Sequence, residues 1–410
     1  MEEFSDERDY FYPYAFLSDQ RQMLMDAARM DAYHTAIHGN PSHFRGKAVL
    51  DCGTGTGVLA IWAAKAGARV VYAVEATDVA RHTRTLVAAN GVADVVKVIQ
   101  GRIEDVELPE KVDTIVSEWM GLLLLRDGML NSVLAARDKW LVPGGALFPS
   151  HCALLLAPTA YTHGQHGTAG SHAGRPQHSE VMAGWQALVG ELAAKYGVDY
   201  SCLTSALAAE GSTYHLQGAI EDILGGGGSE GEDGYECEVW EGSGSEADEP
   251  GTSGAHVTAL PSRWTSLSAA DVLSQPAVIK EFDCHSVTAE HLAEFTADFA
   301  FNLKGAPANS LTAWFDVHFN GGPGCPADTP VTLSTAPAAA PTHWGQQTFE
   351  LPGPSGAGVL AASQHAQLLR GAITVARLPA THRMYDVRLE LETSNGEAQE
   401  VRESLHYSIE

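Results

Sequence analysis

A glycine-rich turn constrains the fold of this chain more than any other feature. The residues Asp51-Cys52-Gly53-Thr54-Gly55-Thr56-Gly57 stand between an apolar run at 47–50 and an alanine-rich run at 58–66. Since glycine has no Cβ, the backbone of such a turn can approach a ligand closely. A β-rich run that passes through a glycine turn into a helix predicts the start of a βαβ unit.

Strand and helix patterns continue to alternate up to about residue 150. The expected elements are a helix over 21–38, strands at 47–51 and 69–75, a helix near 78–90, strands at 95–99 and 112–118, and a helix near 127–140. This alternation predicts an α/β domain at residues 1–150 with a doubly wound, mostly parallel sheet.

The second part of the chain has a different pattern. At 410 residues the chain is too long for one ordinary core, so a second domain is expected at 151–410. Short β-like runs from about 261 to 408 are separated by glycine and proline, which predicts an antiparallel barrel or sandwich. Residues 225–254 contain nine acids, ten glycines and no lysine or arginine. They are interpreted as a disordered loop, with an acidic docking loop for basic partners as the alternative.

Charge and cysteine usage limit the partners and the compartment. The chain has 25 basic and 51 acidic side chains, a formal net charge of −26, which repels nucleic acid and anionic membrane and attracts basic partners. Solubility alone would explain the charge equally well. No stretch approaches 18 apolar residues, and the N-terminus does not read as a secretory signal. Six widely spaced cysteines favour a reducing compartment and argue against disulfides and a structural metal site.

The glycine turn and its neighbouring acids predict a nucleoside site without phosphate. A dinucleotide fingerprint would need glycine where Val58 stands, and a P-loop would need a Lys-Ser/Thr pair that is missing here. Glu75 ends the second strand, where it can accept both ribose hydroxyls. The Ile103 backbone and Glu104, which follow a later strand, are placed to read an adenine edge. With Asp51, Gly53, Thr54 and Gly55, these residues fit S-adenosylmethionine, although a glycine turn alone is often only a tight connection.

Two acids flank a loop at the end of another strand. Glu118 follows the strand at 112–118, Asp127 stands nine residues later, and the apolar tip 122–125 lies between them. Two such acids are commonly solvated surface. At the carboxyl end of a sheet strand, however, they predict a clamp for a planar guanidinium with its forked donors.

In combination these motifs resemble the protein arginine methyltransferases, most closely the plant branch of the asymmetric (type I) enzymes. The matching segments are Tyr10-Phe11-Tyr12-Pro13-Tyr14, the glycine loop with Glu75, Ser117 to Gly121 continuing through Met129, and Thr342-His343-Trp344. The resemblance is dense over about 8–155, adequate over about 261–350, thin beyond that, and absent in 225–254. It implies a Rossmann-like class I methyltransferase domain, then an antiparallel β-barrel domain with an inserted helical dimerisation arm at 157–215.

The resemblance also implies roles for individual residues. Arg29 would pair with the cofactor carboxylate, and Tyr10 and Tyr14 would fold over the cofactor and line the arginine slot. Asp26 and His343 would bridge the two domains beside the two-acid loop. The substrate side would be formed by Met23, Met129 and Trp344, with the two methionines leaving room for two methyl groups on one nitrogen. The family usually has glutamate where this chain has Asp127 and often histidine where it has Gln20.

The implied activity is methyl transfer from S-adenosylmethionine to arginine in basic Arg/Gly-rich proteins, such as histones or RNA-binding proteins. The products would be mono- and asymmetric dimethylarginine. The implied assembly is a homodimer in the cytoplasm, the nucleus or both, with Trp185, Leu192 and Tyr196 as apolar anchors of the arm. A catalytically weak scaffold that recruits basic partners is the alternative, supported by Asp127 and the charge imbalance. A small-molecule N-methyltransferase explains the glycine loop but neither Thr342-His343-Trp344 nor the second acid.

Overall fold

The computed structural model describes residues 10–161, 178–211, 260–303, 306–351, 368–379, 381, 383–394 and 400–409. The acidic stretch 225–254, interpreted above as a loop, lies outside the described residues. No helix among the described segments is long and apolar enough to span a membrane.

The first domain is built on a parallel sheet with helices around it. In chain order its elements are α1 (Leu17–Met25), α2 (Ala27–His38), α3 (Pro41–Phe44), β1 (Ala48–Cys52), α4 (Val58–Lys65), β2 (Val70–Glu75), α5 (Ala80–Ala89), β3 (Val96–Gln100), β4 (Val112–Val116), α6 (Met129–Trp140) and β5 (Leu141–Phe148). The five strands pair in parallel in the order β3-β2-β1-β4-β5. The Rossmann-like prediction is therefore confirmed.

The predicted helix over 21–38 is in fact two helices that meet at Asp26. Asp26 has extended backbone angles, φ −74° and ψ 94°, so the first helix stops there. Its side chain then accepts a hydrogen bond from the Arg29 N–H and caps the second helix. Aspartate is a strong N-cap residue, and this capping explains the break that apolar spacing alone did not reveal.

The second domain consists of two largely antiparallel sheets. Its strands are β6 (His151–Thr159), β7 (Leu260–Pro261), β8 (Arg263–Thr265), β9 (Ala277–Asp283), β10 (Glu294–Asn302), β11 (Ser310–Gly322), β12 (Cys325–Ser334), β13 (Gln346–Glu350), β14 (Leu368–Arg377), β15 (Tyr385–Ser394) and β16 (Glu400–Ser408). One sheet has the order β10-β14-β15-β16-β7 and the other β8-β13-β11-β6-β9, with β12 paired to β11. A short helix, α8 (Ala289–Ala293), precedes β10.

A helical segment that follows β6 within the second domain packs on the first domain of the same chain. It comprises α7 (His178–Tyr196) and a further helical stretch at 204–211. Trp185 and Leu192 are fully buried, and the Trp62 indole N–H donates to the Tyr196 carbonyl at 3.1 Å. The Tyr200 hydroxyl lies 2.8 Å from the Thr56 hydroxyl in the glycine turn. The segment thus packs on the first domain of its own chain, and its role as a dimerisation arm stays a prediction.

Candidate active site

The glycine turn adopts a backbone that requires glycine. Gly53 and Gly55 have positive φ angles of 72° and 56°, a region that side chains with a Cβ rarely enter. A Cβ on Gly53 would lie 2.6 Å from the Met129 Cε, and one on Gly55 would lie 2.6 Å from the Gln20 Oε1. The N–H groups of Gly53 and Thr54 both donate to the Val74 carbonyl, at 3.0 and 2.9 Å. The turn is therefore fixed against β2, and Gly53, Thr54 and Gly55 line a pocket.

Asp51 and Glu75 both accept hydrogen bonds from the glycine turn. The Thr54 hydroxyl donates to Asp51 Oδ2 at 2.5 Å, while Asp51 Oδ1 is buried and has no hydrogen-bond partner within the described segments. Burial raises the pKa of Asp51 to about 7, although the Thr54 hydrogen bond opposes the rise. Glu75 accepts the Gly55 N–H at 2.9 Å and the Thr77 N–H at 2.8 Å, and burial raises its pKa as well.

These two acids decide which ligand the turn can take. A phosphate would face two carboxyl groups and gain no basic side chain from the turn, whereas a cationic ligand would be attracted. The Glu75 carboxyl group and the Cβ-free backbone of Gly53, which both line the pocket, fit a cationic nucleoside. Further along the edge, Ile103 is buried and the Glu104 carboxylate accepts the Ser132 hydroxyl at 2.6 Å.

The two-acid loop is a compact, conformationally unusual segment. Leu123, Leu124 and Asp127 have positive φ angles of 49°, 68° and 80°. The Gly121 N–H donates to the Leu124 carbonyl at 3.1 Å, and the Leu124 N–H donates back at 3.0 Å. Leu123, Leu124 and Leu125 are 0–5% exposed. The apolar tip expected from the sequence is thus packed in the core, and this packing holds the backbone in its strained conformation.

Glu118 is tied to Arg29 on one limb of the loop. The Arg29 Nε donates to Glu118 Oε2 at 3.2 Å, the Arg29 Nη2 lies 3.1 Å from the same oxygen, and Nη1 donates to the Met23 carbonyl at 3.2 Å. The Met120 N–H donates to the other Glu118 oxygen at 3.2 Å. The resemblance assigned Arg29 to the cofactor carboxylate, whereas the structure places its guanidinium on Glu118.

Asp127, on the other limb, faces the aromatic residues of the N-terminal segment. Burial raises the pKa of Asp127, Arg126 and Arg383 lower it, and Glu118 raises it further. The Tyr10 and Tyr14 rings are 5.2 Å apart. Burial raises the pKa of the Tyr10 and Tyr14 hydroxyls above the ordinary value, and the negative charge of Asp127 raises it further. Both hydroxyls therefore stay neutral. The loop and the helical stretch 10–14 together form an acidic slot in the pocket.

The barrel domain contributes the third wall of the site. The His343 Nδ1 lies 2.7 Å from Asp26 Oδ2, and the His343 backbone N–H donates to the same oxygen at 2.8 Å. The Trp344 indole N–H donates to the Met120 carbonyl at 2.7 Å. Burial alone would raise the pKa of Asp26, but hydrogen bonds from His343 and the Arg29 N–H lower it below its ordinary value. Asp26 and His343 therefore join the two domains with an ionised carboxylate.

One pocket brings these groups together. Its free volume is about 250 Å³, and of the residues proposed from the sequence it is lined by Tyr10, Tyr14, Met23, Arg29, Gly53, Thr54, Gly55, Glu75, Ile103, Glu104, Glu118, Asp127, Met129, His343 and Trp344. Asp26 and Asp51 do not line it; Asp26 lies behind His343 and Asp51 beneath the glycine turn.

Gln20 and Arg383 are among the lining residues to which the sequence analysis assigned no role. Gln20 was noted only as a departure from the family. Its side-chain amide donates to the Tyr14 carbonyl at 3.1 Å and its oxygen faces Gly55, so it joins the aromatic segment to the glycine turn. Arg383 lies beyond residue 350, where the resemblance is thin and no motif identifies it.

Comparisons with known proteins agree with this arrangement. A methyltransferase domain model matches residues 49–145, and a model of the arginine methyltransferase oligomerization subdomain matches residues 255–396. The chain is 40% identical over 394 residues to protein arginine N-methyltransferase PRMT10 of Oryza sativa subsp. japonica, covering 95% of this chain and 89% of that protein. It is 36% identical over 390 residues to PRMT10 of Arabidopsis thaliana, covering 94% and 87%.

A solved structure shows the same overall fold. The crystal structure of Arabidopsis thaliana protein arginine methyltransferase 10 superposes with a TM-score of 0.71 at 34% identity and covers 98% of this chain and 100% of that one. A Trypanosoma brucei PRMT1 enzyme-prozyme complex with AdoHcy has a TM-score of 0.66 at 24% identity, which is a likeness of fold.

Proposed function

This chain belongs to the protein arginine N-methyltransferase family and is an S-adenosylmethionine-dependent enzyme of that family, and from that premise we propose that Glu118 and Asp127 together hold the substrate arginine. The observation that carries the proposal is their position on the same pocket as the glycine turn. One limb of the two-acid loop presents Glu118 and the other Asp127. A planar guanidinium is the best geometric partner for two convergent carboxylates.

The cofactor would be held along the glycine turn. Bound S-adenosylmethionine supplies an electrophilic methyl group on a sulfonium cation. Glu75 is placed for the ribose hydroxyls, and its two oxygens are already oriented by the Gly55 and Thr77 N–H groups. The Ile103 backbone and Glu104 are placed at the adenine end. Because Asp51 and Glu75 are both acidic, they favour the cationic end of the cofactor electrostatically.

The acidic side chains solve the main chemical difficulty of the reaction. A guanidinium has a pKa above about 12 and a delocalised lone pair, so it is a poor nucleophile. Two carboxylates can concentrate the positive charge on the nitrogens that they contact and leave the remaining terminal nitrogen richer in electrons. This is catalysis by positioning and electrostatic preorganisation. Tyr10 and Tyr14, which stay neutral, cover the slot and exclude water from it.

A proton must leave the arginine during the reaction, and the Asp26–His343 pair offers a route. The Asp26 carboxylate stays ionised and accepts the His343 Nδ1–H. In the neutral imidazole this contact makes Nδ1 the donor and leaves Nε2 with a lone pair. His343 also lines the pocket, so its Nε2 is the group proposed to take the proton.

The remaining features concern product and assembly. Met23 and Met129 line the pocket, and we assign them the space for two methyl groups on one nitrogen, which gives mono- and asymmetric dimethylarginine. The net charge of −26 favours basic Arg/Gly-rich substrates. The oligomerization subdomain that matches residues 255–396 supports oligomerisation, and a homodimer is the proposed form. The cysteine usage is consistent with a cytoplasmic or nuclear location, or both.

The proposed product is tested with labelled cofactor and an Arg-Gly-rich peptide. We expect label to enter the peptide, and mass analysis of its hydrolysate to give mono- and asymmetric dimethylarginine. A matched peptide with lysine in place of arginine should remain unlabelled. A symmetric dimethyl product would contradict the role of Met23 and Met129. Label transfer only by an Asp127→Glu variant would favour the scaffold alternative for the native chain.

Cofactor binding should release protons near neutral pH. An acid whose pKa is raised keeps its proton between its ordinary pKa, near 4, and the raised value, which for Asp51 is about 7. A bound cation favours the ionised form and lowers that pKa again, so affinity should increase as pH rises through 7. Titration calorimetry in two buffers of different ionisation enthalpy measures the release directly.

The control for this measurement is S-adenosylhomocysteine, which lacks the sulfonium charge and should release less. Asp51→Asn removes one of the two groups that titrate. The number of protons released on binding should then fall to the part that Glu75 contributes. Equal binding heats in the two buffers would show that neither acid responds to the ligand.

A further inference from the structure

Among the described residues, one arginine of the barrel domain reaches the pocket, from the loop between β14 and β15. Arg383 is 7% exposed and lines the same cavity as the two-acid loop. Its backbone N–H lies 3.2 Å from the Thr381 hydroxyl, and the loop closes with a hydrogen bond of 2.9 Å from the Leu378 N–H to the Met384 carbonyl. Arg383 therefore lies between two paired strands of the sheet with the order β10-β14-β15-β16-β7.

Arg383 holds the backbone of Asp127 from both sides. The Asp127 N–H donates to the Arg383 carbonyl at 2.9 Å, and the Arg383 Nη1 donates to the Asp127 carbonyl at 2.6 Å. Asp127 has a φ of 80°, a conformation that costs free energy in any residue with a Cβ and persists only where the surroundings impose it. The two hydrogen bonds with Arg383 help to hold Asp127 in this conformation.

The same guanidinium also holds the aromatic wall of the slot. The Arg383 Cζ lies 3.7 Å from the Tyr10 ring centroid and 5.3 Å from that of Phe11. A buried cation over an aromatic face is a favourable contact, and a planar guanidinium stacks better than an ammonium. One side chain thus fixes both the second acid and the tyrosine that covers the slot.

We infer that Arg383 is a positioning residue that sets how deeply the Asp127 carboxylate reaches into the arginine slot and holds Tyr10 over it. The inference rests on the proposed role of Asp127. Aspartate is one methylene shorter than the glutamate usual in the family, so its reach depends on where its backbone is held. A barrel arginine that bonds to that backbone supplies this control.

Arg383 also contributes to the electrostatics of Asp127. The charged and titratable groups around this carboxyl are Arg126 in its own loop, Glu118 on the opposite limb, Tyr10 and Tyr14 in the N-terminal segment, and Arg383. Glu118 raises the pKa of Asp127, whereas Arg126 and Arg383 lower it. Loss of the Arg383 charge should therefore move the ionisation of Asp127 to higher pH.

Two substitutions separate geometry from charge. Arg383→Lys keeps the charge but loses the planar stack and the fixed hydrogen bond, and Arg383→Gln loses the charge as well. A displacement of about 1 Å in a catalytic group can cost up to roughly 100-fold in rate, so both variants should lower kcat about 10- to 100-fold. In Arg383→Gln alone, the acid limb of the pH profile of kcat should shift to higher pH. Arg370→Gln, at an exposed β14 arginine paired with Glu392, is the matched control and should leave kcat unchanged.

The outcomes distinguish this inference from the function on which it rests. Thermal melting of each variant shows that it is folded before kinetics are compared. If Asp127→Asn abolishes transfer while Arg383→Lys keeps native kcat, Asp127 acts in the slot and the inference about Arg383 is wrong. Native kcat in Asp127→Asn would instead overturn the proposed slot itself. An acid limb that moves equally in the lysine and glutamine variants would contradict the electrostatic part.

Discussion

Glu118→Gln should reduce kcat of arginine methylation by about 10²–10³-fold, which corresponds to roughly 2–4 kcal/mol of transition-state stabilisation. Glutamine is nearly isosteric, so the change removes charge while keeping shape. Without the Glu118 charge, the positive charge of the substrate guanidinium is less concentrated on the contacted nitrogens, and the terminal nitrogen is less electron-rich. The buried Arg29 guanidinium also loses its salt-bridge partner, which lies 3.1 Å away. Steady-state kinetics with an Arg-Gly-rich peptide measure the effect.

The matched control is Glu110→Gln. Glu110 is also paired with an arginine, Arg69, but both side chains are well exposed, and such surface pairs contribute little. Its variant should have native kcat. If Glu118→Gln raised only the peptide KM and left kcat intact, Glu118 would contribute equally to ground state and transition state, and the proposed electronic role would be wrong.

Gly121→Ala should reduce kcat by roughly 100-fold with a native-like cofactor affinity. A Cβ at this position would lie 1.9 Å from the Arg126 carbonyl oxygen and 2.9 Å from Asp127 Oδ2. The contact is with backbone, which cannot rotate away, so the loop must open. Opening moves Asp127 relative to Glu118 while the glycine turn remains in place. Overpacking of this kind also lowers the free energy of unfolding by about 1–3 kcal/mol.

Gly190→Ala is the appropriate comparison for this variant. Gly190 lies inside α7, and a Cβ added there would meet open space. Alanine favours helix, so the free energy of unfolding should be unchanged or slightly higher. Kinetics, calorimetric cofactor binding and urea unfolding of both variants complete the test. Native kcat in Gly121→Ala would show that the spacing of the two acids tolerates a moved loop.

The strand, glycine turn and helix of the first βαβ unit could be predicted because their signals are local. A β-rich run ending in Asp51, glycines at fixed steps, and a second run ending in Glu75 all lie close together along the chain. Local patterns of this kind report backbone geometry directly. The break at Asp26 was less visible in the sequence. An aspartate that caps a helix and one inside a helix are the same residue type, and only the backbone angles distinguish them.

Other features could not be predicted because they depend on distant parts of the chain. Arg383 meets Asp127 across 256 residues, and nothing around it in the sequence marks a contact. The strand β5 includes Pro143, Gly144 and Gly145, which are typical of a turn, and only pairing with β4 extends it. The leucines of the two-acid loop were predicted only to form an apolar tip, and it is tertiary packing that buries Leu123, Leu124 and Leu125.

Asp26 performs two tasks with one carboxyl group. Oδ1 accepts the Arg29 N–H that begins α2, and Oδ2 accepts both nitrogens that His343 offers from the barrel. Nucleation of a helix and docking of a distant domain are therefore thermodynamically linked: each should make the other easier. In a chain whose barrel has not yet docked, the first turn of α2 would fray and the Arg29 side chain would lose its fixed position. The slot would therefore become ordered only once both domains had come together.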